Sequence, residues 1–296
     1  MLFGKGILNP AQLRANSLVG TGIIGGLHPG KIPGLYPIES DPDAKAYINA
    51  VVAAGGTVSE GQRTAINTFY KTGKADGWYS SLKRLYLPIW GVAAPNAICM
   101  TSLTSGTFVG SVTHGAGFVL SDITTGYMDT NVGLTTLGLS LSSYHFAGLY
   151  KASSSKANSY LFGASLGSNV NRIFVSGTTV TADLHSVITG RASGTVASGD
   201  RLGIFTFSGA ASARFLKRRK TSGVTTLGST TTTITAQPNN LNVAFLANNS
   251  SGTVSSFCGE EIGAFSVGLE LTNAQDTAYS LALKNLWEGT TNLVLP

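Results

Sequence analysis

The chain has 296 residues, a formal net charge of +6 and a pI near 9.3, enough for one large domain or one domain with appendages. Charged residues make up only 11% and one residue in eight is glycine, against roughly 25% and about 7% in ordinary soluble domains. The surface must therefore be Ser, Thr, Asn and Gly, as in short strands joined by tight turns, and the one basic cluster is too local for an extended nucleic-acid surface.

Residues 1–40 mix Gly, Pro and apolar side chains without periodicity and read as an extended arm. Glycine and proline break up GILNPAQLRANSLVGTGIIGG, so no signal peptide is expected, and no apolar run reaches the ~20 residues needed to cross a bilayer. Folding in a cytoplasm is the resulting expectation. Gly20, Gly22 and Gly25 fit a dinucleotide fingerprint, and Gly25, Gly30 and Lys31 nearly fit a phosphate loop. Yet the stretch GLHPGKIPGLYP cannot be the helix that the first needs, and in the second Ile32 stands where Ser or Thr should bind magnesium, followed by Pro33 and Gly34.

Residues 41–90 read as a helical unit. Asp41 before Pro42 is an N-cap with proline at the first helical position, and Ala44, Tyr47, Ile48 and Val51 form one stripe that Gly55 and Gly56 end. Ser59 and Gln62 form a capping box for a second helix carrying Ile66, Phe69 and Tyr70, closed by Gly73 or Gly77. Trp78, Leu82 and Leu85 suggest a third, short helix before Pro88.

Residues 91–296 change to short runs rich in Thr, Val, Phe and Tyr, such as SYHFAGLYKA, NRIFVSG and RLGIFTFSG, separated by Gly, Ser and Asn. About a dozen such runs argue for a mainly β fold, an antiparallel sandwich or jelly roll. The last run alternates Phe265, Val267 and Leu269 against the small Ala264 and Ser266. A capping box of Thr272 and Gln275 then starts a C-terminal helix striped by Ala274, Ala278, Leu281, Ala282 and Leu286, expected to pack on the aromatic helices of residues 41–90.

No catalytic pattern survives a reading of its surroundings. GASLG around Ser165 fits a nucleophile elbow, but a strand comes after it where a helix is required, so a hairpin turn is expected. His28, His114, His145 and His185 have no metal-ligand spacing, and Cys99 and Cys258 are expected as buried thiols. No two carboxylates alternate on a strand of the β-region, as a glycosidase would require, and Glu260 and Glu261 point to opposite faces. No metal and no cofactor are expected. Tyr127, Tyr144, Tyr150 and Tyr160 are candidates to stack on a sugar, with strand packing as the competing role. Arg214, Lys217, Arg218, Arg219 and Lys220 are a candidate contact for an anionic partner, or a charged edge strand.

The succession DPDAKAYINAVVAAGGTVSEGQRTAINTFYKTGKADGWYSSLKRLYLP, GYMDT, SYHFAGLY and IGAFSVGLELTNAQDTAYSLAL resembles a family of tailed-bacteriophage structural proteins over about residues 41–290. In that family a small helical unit precedes a concanavalin A-like, laminin G-like jelly roll whose last strand runs into a terminal helix. The resemblance implies a non-enzymatic virion component, such as a tail fibre, tail spike or head-decoration protein. Its partners would be other virion proteins and copies of itself. A lectin-like sandwich that meets host-surface glycan is the alternative, and a glycoside hydrolase a remote one.

Overall fold

The computed structural model describes residues 40–141, 143–152, 158–197, 200–210, 212–235 and 237–295. The arm expected over residues 1–40, with its glycine motifs and His28, lies outside them except for Ser40.

The helices begin where their caps predict. Asp41 accepts hydrogen bonds from the backbone N–H of Asp43 and Ala44 at 3.0 and 3.3 Å and starts α1 (Pro42–Ala53). Gly55, at φ +89°, takes the left-handed turn that ends it. The reciprocal Ser59–Gln62 capping box starts α2 (Glu60–Ala75). Beyond it the expectation of a third helix fails. Only a 3-10 turn forms over Tyr79–Ser81, and Leu82–Tyr86 is a strand, β1. Trp78, Leu82 and Leu85 share a face at helical spacing, but ladder bonds to the last strand of the sandwich override that weak local preference. Thus β-structure begins before residue 91, and Ser40–Pro296 forms one compact unit.

A short helix, α3 (Ala93–Asn96), and two hairpin-like runs, β2 (Thr107–Val109) with β5 (Tyr127–Gly133) and β3 (Val112–Gly115) with β4 (Phe118–Ser121), lead into the sandwich. It continues through β6 (Tyr144–Ala152), β7 (Asn158–Leu166), β8 (Asn169–Ser176), β9 (Thr179–Asp183) and β10 (Ala192–Thr195). The remaining strands are β11 (Gly203–Ala210), β12 (Ala213–Lys220), β13 (Gly223–Thr230), β14 (Asn242–Phe245), β15 (Asn248–Ser250), β16 (Thr253–Ser255) and β17 (Glu261–Gly268). They form two sheets. The first, of eight strands, runs β13-β12-β11-β6-β17-β4-β3 with β1 also on β17. The second, of nine, runs β10-β9-β8-β7-β14-β5-β2 with β15 and β16 attached. All pairings are antiparallel except β15 with β7. The chain is therefore a mainly β, antiparallel sandwich with few helices, as its sequence predicts.

Two cores explain why such a chain ends in a helix. Between the sheets, Phe146, Tyr150, Phe205 and Phe265 of the first meet Phe162, Ile173, Val175 and Val180 of the second. On the other face of the first sheet, small or short residues, Ala147, Leu149, Ile204 and Ala264, are covered by Tyr47, Phe69, Trp78, Tyr279, Leu286 and Trp287 from the helical side. The C-terminal helix, α4 (Asn273–Thr291), is the main lid on that face. Trp287, 1% exposed, reaches over Gly263 to donate its indole N–H to the Gly117 carbonyl at 2.9 Å. Burying an aromatic of this size stabilises the fold by about 2–3 kcal/mol.

Helix α4 packs against α2, as expected, but with a different stripe. Tyr279, Ala282, Leu283, Leu286 and Trp287 are buried with Asp276 and Ser280, while Ala274 is exposed and Leu281 is 45% exposed. The helix is turned toward the sheet because its two polar residues have buried partners there. The other local expectations hold: GASLG closes the β7–β8 hairpin, and Cys99 and Cys258 are buried free thiols.

At one side of the sandwich the two sheets close on each other through glycine. A Cβ on Gly194 in β10 would lie 2.1 Å from the Leu227 carbonyl oxygen of β13, and one on Gly228 would lie 2.2 Å from that of Ser193. Because backbone cannot move aside as a side chain can, Gly194→Ala is expected to lower stability by about 1–3 kcal/mol in a urea titration. An unchanged midpoint would mean that the strands can separate freely.

Candidate functional site

Among the described residues, helices cover the outer side of the first sheet and none covers the outer face of the second, which is the broad β-surface left for a ligand. Strand alternation decides what it displays. In β8, Ile173 and Val175 point into the core, so Arg172, Phe174 and Ser176 point outward. In β9, Val180 and Ala182 are inward, leaving Thr181 and Asp183 outward. A β-bulge at Leu161 places both Leu161 and Phe162 in the core and leaves Tyr160 on the outer face.

These residues form rungs across the sheet. Tyr160 lies directly opposite Phe174, with ring planes 12° apart and centroids 4.9 Å apart. The Arg172 guanidinium sits 4.8 Å from the Phe174 ring centre and 5.6 Å from that of Tyr160, so it caps the pair by cation–π attraction. In the next rung Asp183 is the cross-strand partner of Arg172 and has no exposed surface. Its carboxylate accepts from Arg172 Nε at 2.7 Å and from Arg191 Nε and Nη2 at 2.6 and 3.0 Å. Hydrogen bonding to Asp183 raises the pKa of Arg191 above its ordinary value, and the same two bonds hold the guanidinium in place. Arg191 remains 39% exposed, and Ser193 and Thr195 of β10 are exposed beside it.

Further along the same face lies a second group. Tyr127, half-buried, stands 6.4 Å from Phe257. Asp129 accepts from the Asn131 backbone at 2.7 Å and from the Asn242 amide at 3.3 Å. Between the groups, Ser165 donates to Asn248 Oδ1 at 2.8 Å, so the hydroxyl singled out in GASLG serves a buried amide contact.

The four candidate tyrosines therefore separate. Tyr160 and Tyr127 are on the open face. Tyr144 and Tyr150 have no exposed surface and pack between the sheets against Phe207 and Phe205 at 5.9 and 5.4 Å. Strand packing is what those two do, and a sugar cannot reach them. The sequence reading missed Phe174, Arg172, Asp183 and Arg191; the available signal was the strict alternation Arg172-Ile173-Phe174-Val175-Ser176 in β8.

The basic cluster is a correction. It lies in β12, between β11 and β13 rather than at an edge or a hairpin tip. Arg214, Lys217, Arg218 and Arg219 are at most 8% exposed. Lys217 pairs with Asp276 of α4 at 2.9 Å, and Arg219 donates to Ser280 and to the Thr277 carbonyl at 2.9 and 2.8 Å. Arg218 and Lys220 both pair with Asp200, and Arg214 donates to the carbonyls of Thr189 and Thr232. The cluster is bound within the chain itself, by Asp200, Asp276 and neutral oxygens.

Several acidic residues are similarly engaged. Glu260 is buried against Arg201 at 2.9 Å, Glu261 pairs with Lys151 at 2.7 Å, and Asp122 holds its own loop through Thr124, Thr125 and Gly126. Among the described residues no group of three His, Cys, Asp or Glu side chains could hold a metal ion, and no helix is long and apolar enough to cross a membrane.

No protein-family model and no curated protein matches the chain. Similar solved structures include the CBM40 domain of Ruminococcus gnavus IT-sialidase bound to α2,3-sialyllactose. It is 15% identical with a TM-score of 0.35, over 48% of this chain and 83% of that one. A structure described as showing that cell entry of botulinum neurotoxin type C depends on two ganglioside molecules is 11% identical. Its TM-score is 0.47, over 69% of this chain and 52% of that one. NanB sialidase from Streptococcus pneumoniae is 15% identical with a TM-score of 0.36, over 46% of this chain and 23% of that one. TM-scores below 0.5 leave the strand order of this chain as the description of its fold.

Proposed function

We propose that this chain is a non-enzymatic, lectin-like module of a tailed-phage particle, whose open sheet face binds cell-surface glycan while the remainder anchors it to other virion proteins and to copies of itself. The observation that carries the glycan reading is the Tyr160–Phe174–Arg172 ladder on a broad sheet face that no helix covers among the described residues. An apolar ring surface beside fixed polar groups suits a pyranose, which offers C–H groups on one side and hydroxyls at its rim. The absence of hydrolysis is supported at the aromatic rung by Asp183, whose carboxylate is held by two arginines, since a general acid needs a carboxyl free to exchange its proton.

The full-length protein on a glycan array, compared with Tyr160→Ala, tests this reading. Binding that falls about tenfold or more in the variant, a change of about 1.4 kcal/mol or more, is the expected result. An array without hits, or hits indifferent to Tyr160, overturns it. The particle assignment rests on the resemblance of residues 41–290 and on the low charge of the surface. Immunogold electron microscopy of particles, with an antibody to residues 91–296, tests it separately: label on the tail supports adhesion, and label spread over the head supports decoration.

A further inference from the structure

We propose that the open face selects sugars that carry a carboxylate, and that Arg172 and Arg191 are the receptor for that group; this rests on the glycan-binding reading above. Three features of the rung argue for it. First, two guanidinium groups share one carboxylate, so the patch keeps a net positive charge where a simple strand-to-strand latch between β8 and β9 would need only Arg172 with Asp183.

Second, the geometry leaves the correct edge free. Arg191 gives its Nε and Nη2 to Asp183. A guanidinium is planar and has five donors, so the edge that includes Nη1 remains for a second carboxylate in the same plane, with bidentate spacing. Arg172 likewise gives only Nε to Asp183, and its Nη1 lies 3.5 Å from the Tyr160 hydroxyl, beside the aromatic pair. Third, the side chain that orients both cations is Asp183, buried completely and held on the rung by the β8–β9 register. Fixing two long side chains before a ligand arrives removes much of the ordering cost of binding. The Arg172 guanidinium lies 4.8 and 5.6 Å from the two ring centres, so a carboxylate that it binds sits beside the aromatic pair.

The experiment is a titration of the full chain with tetragalacturonate and with its methyl ester, which have the same backbone with and without charge, alongside an array holding carboxylated, sulfated and neutral glycans. The expected result is a preference of about tenfold or more for carboxylated over matched neutral glycans, shrinking at high salt. Arg191→Gln should collapse that ratio toward one, whereas Tyr160→Ala should weaken both members of a pair and keep the ratio. Thermal melting of each variant shows whether it is folded, and Arg172→Lys supplies a second, charge-conserving variant that keeps a point charge but loses the fork.

Equal binding of acidic and neutral glycans, a preference for sulfated over carboxylated ones, or a ratio unmoved by Arg191→Gln in a folded protein overturns the carboxylate assignment and leaves glycan binding standing. No glycan bound at all overturns both readings.

Discussion

Asp276→Ala is expected to lower the stability of the full-length protein by about 3–5 kcal/mol, the usual cost of removing one partner from a buried ion pair. Asp276 is 3% exposed and lies in the first turn of α4. One carboxylate oxygen accepts from Lys217 Nζ at 2.9 Å and from the Thr206 hydroxyl at 3.0 Å. Burial pushes its carboxyl above the usual range, opposed by Lys217, Thr206 and Arg219. Its removal leaves Lys217 in a site that is 5% exposed, with only the Asn273 carbonyl at 3.2 Å and the Thr277 hydroxyl at 3.5 Å to accept from it. The cost is therefore that of an uncompensated buried cation. Pairing Asp276→Leu with Lys217→Met removes both charges at similar volume and should restore most of the loss, because a matched apolar pair has no such cation to desolvate. Urea titrations of the two single changes and the double change decide the matter: a loss below about 1 kcal/mol in Asp276→Ala would show that Lys217 escapes to water and that α4 is held by packing alone.

That pair also shows where sequence reading stops. The caps at Asp41, Ser59–Gln62 and Thr272–Gln275 are local chemistry, complete within four residues, and each starts a helix in the structure. The basic run in β12 has its counter-charges at Asp200 and Asp276, and nothing in the local pattern points to them. Counted without those partners the run looks like a surface patch, and Asp276 and Ser280 look like the wet side of a helix. The same blindness rotated the stripe of α4. Strand content was legible from β-branched and aromatic runs, but facing was not in the first sheet, where both faces are buried and alternation is lost: Tyr144 and Tyr150 flank Ala147 and Leu149, which face a different core. In the second sheet, one face is open and alternation survives. Arg172, Phe174 and Ser176 could have been read there, but the bulge that turns Tyr160 outward could not, because it depends on the register against β8.

Acid should destabilise this protein well before its carboxylates protonate. His145 lies fully buried between β6 and α4, its Nε2 3.1 Å from the Ser266 hydroxyl and its ring edge-on to Tyr279 at 5.0 Å. Burial depresses its pKa from 6.5 to about 3. His185, in the left-handed region at φ +53°, is depressed to about 4, by burial first, with Arg214 acting in the same direction and the Ser140 backbone against it. A base whose folded pKa is lowered binds fewer protons folded than unfolded, so stability is full above the unfolded pKa and is lost as pH falls below it. The window runs from 6.5 down to about 3 for His145 and to about 4 for His185, and the two together amount to about 4–6 kcal/mol between pH 7 and pH 4. Asp276 and Glu270, with carboxyls raised by burial, act in the opposite sense and offset part of this. Asp41 and Asp200 are lowered, so their contributions are lost mainly below the ordinary carboxylate value of 3.8, outside the window. Urea midpoints measured at pH 7, 5.5 and 4.5 should therefore fall steadily, and His145→Gln, which cannot take up the proton, should flatten the slope by about half. A midpoint that holds constant from pH 7 to 4.5, or an unchanged slope in a folded His145→Gln protein, would show that the imidazole is reached by water and titrates near its ordinary value.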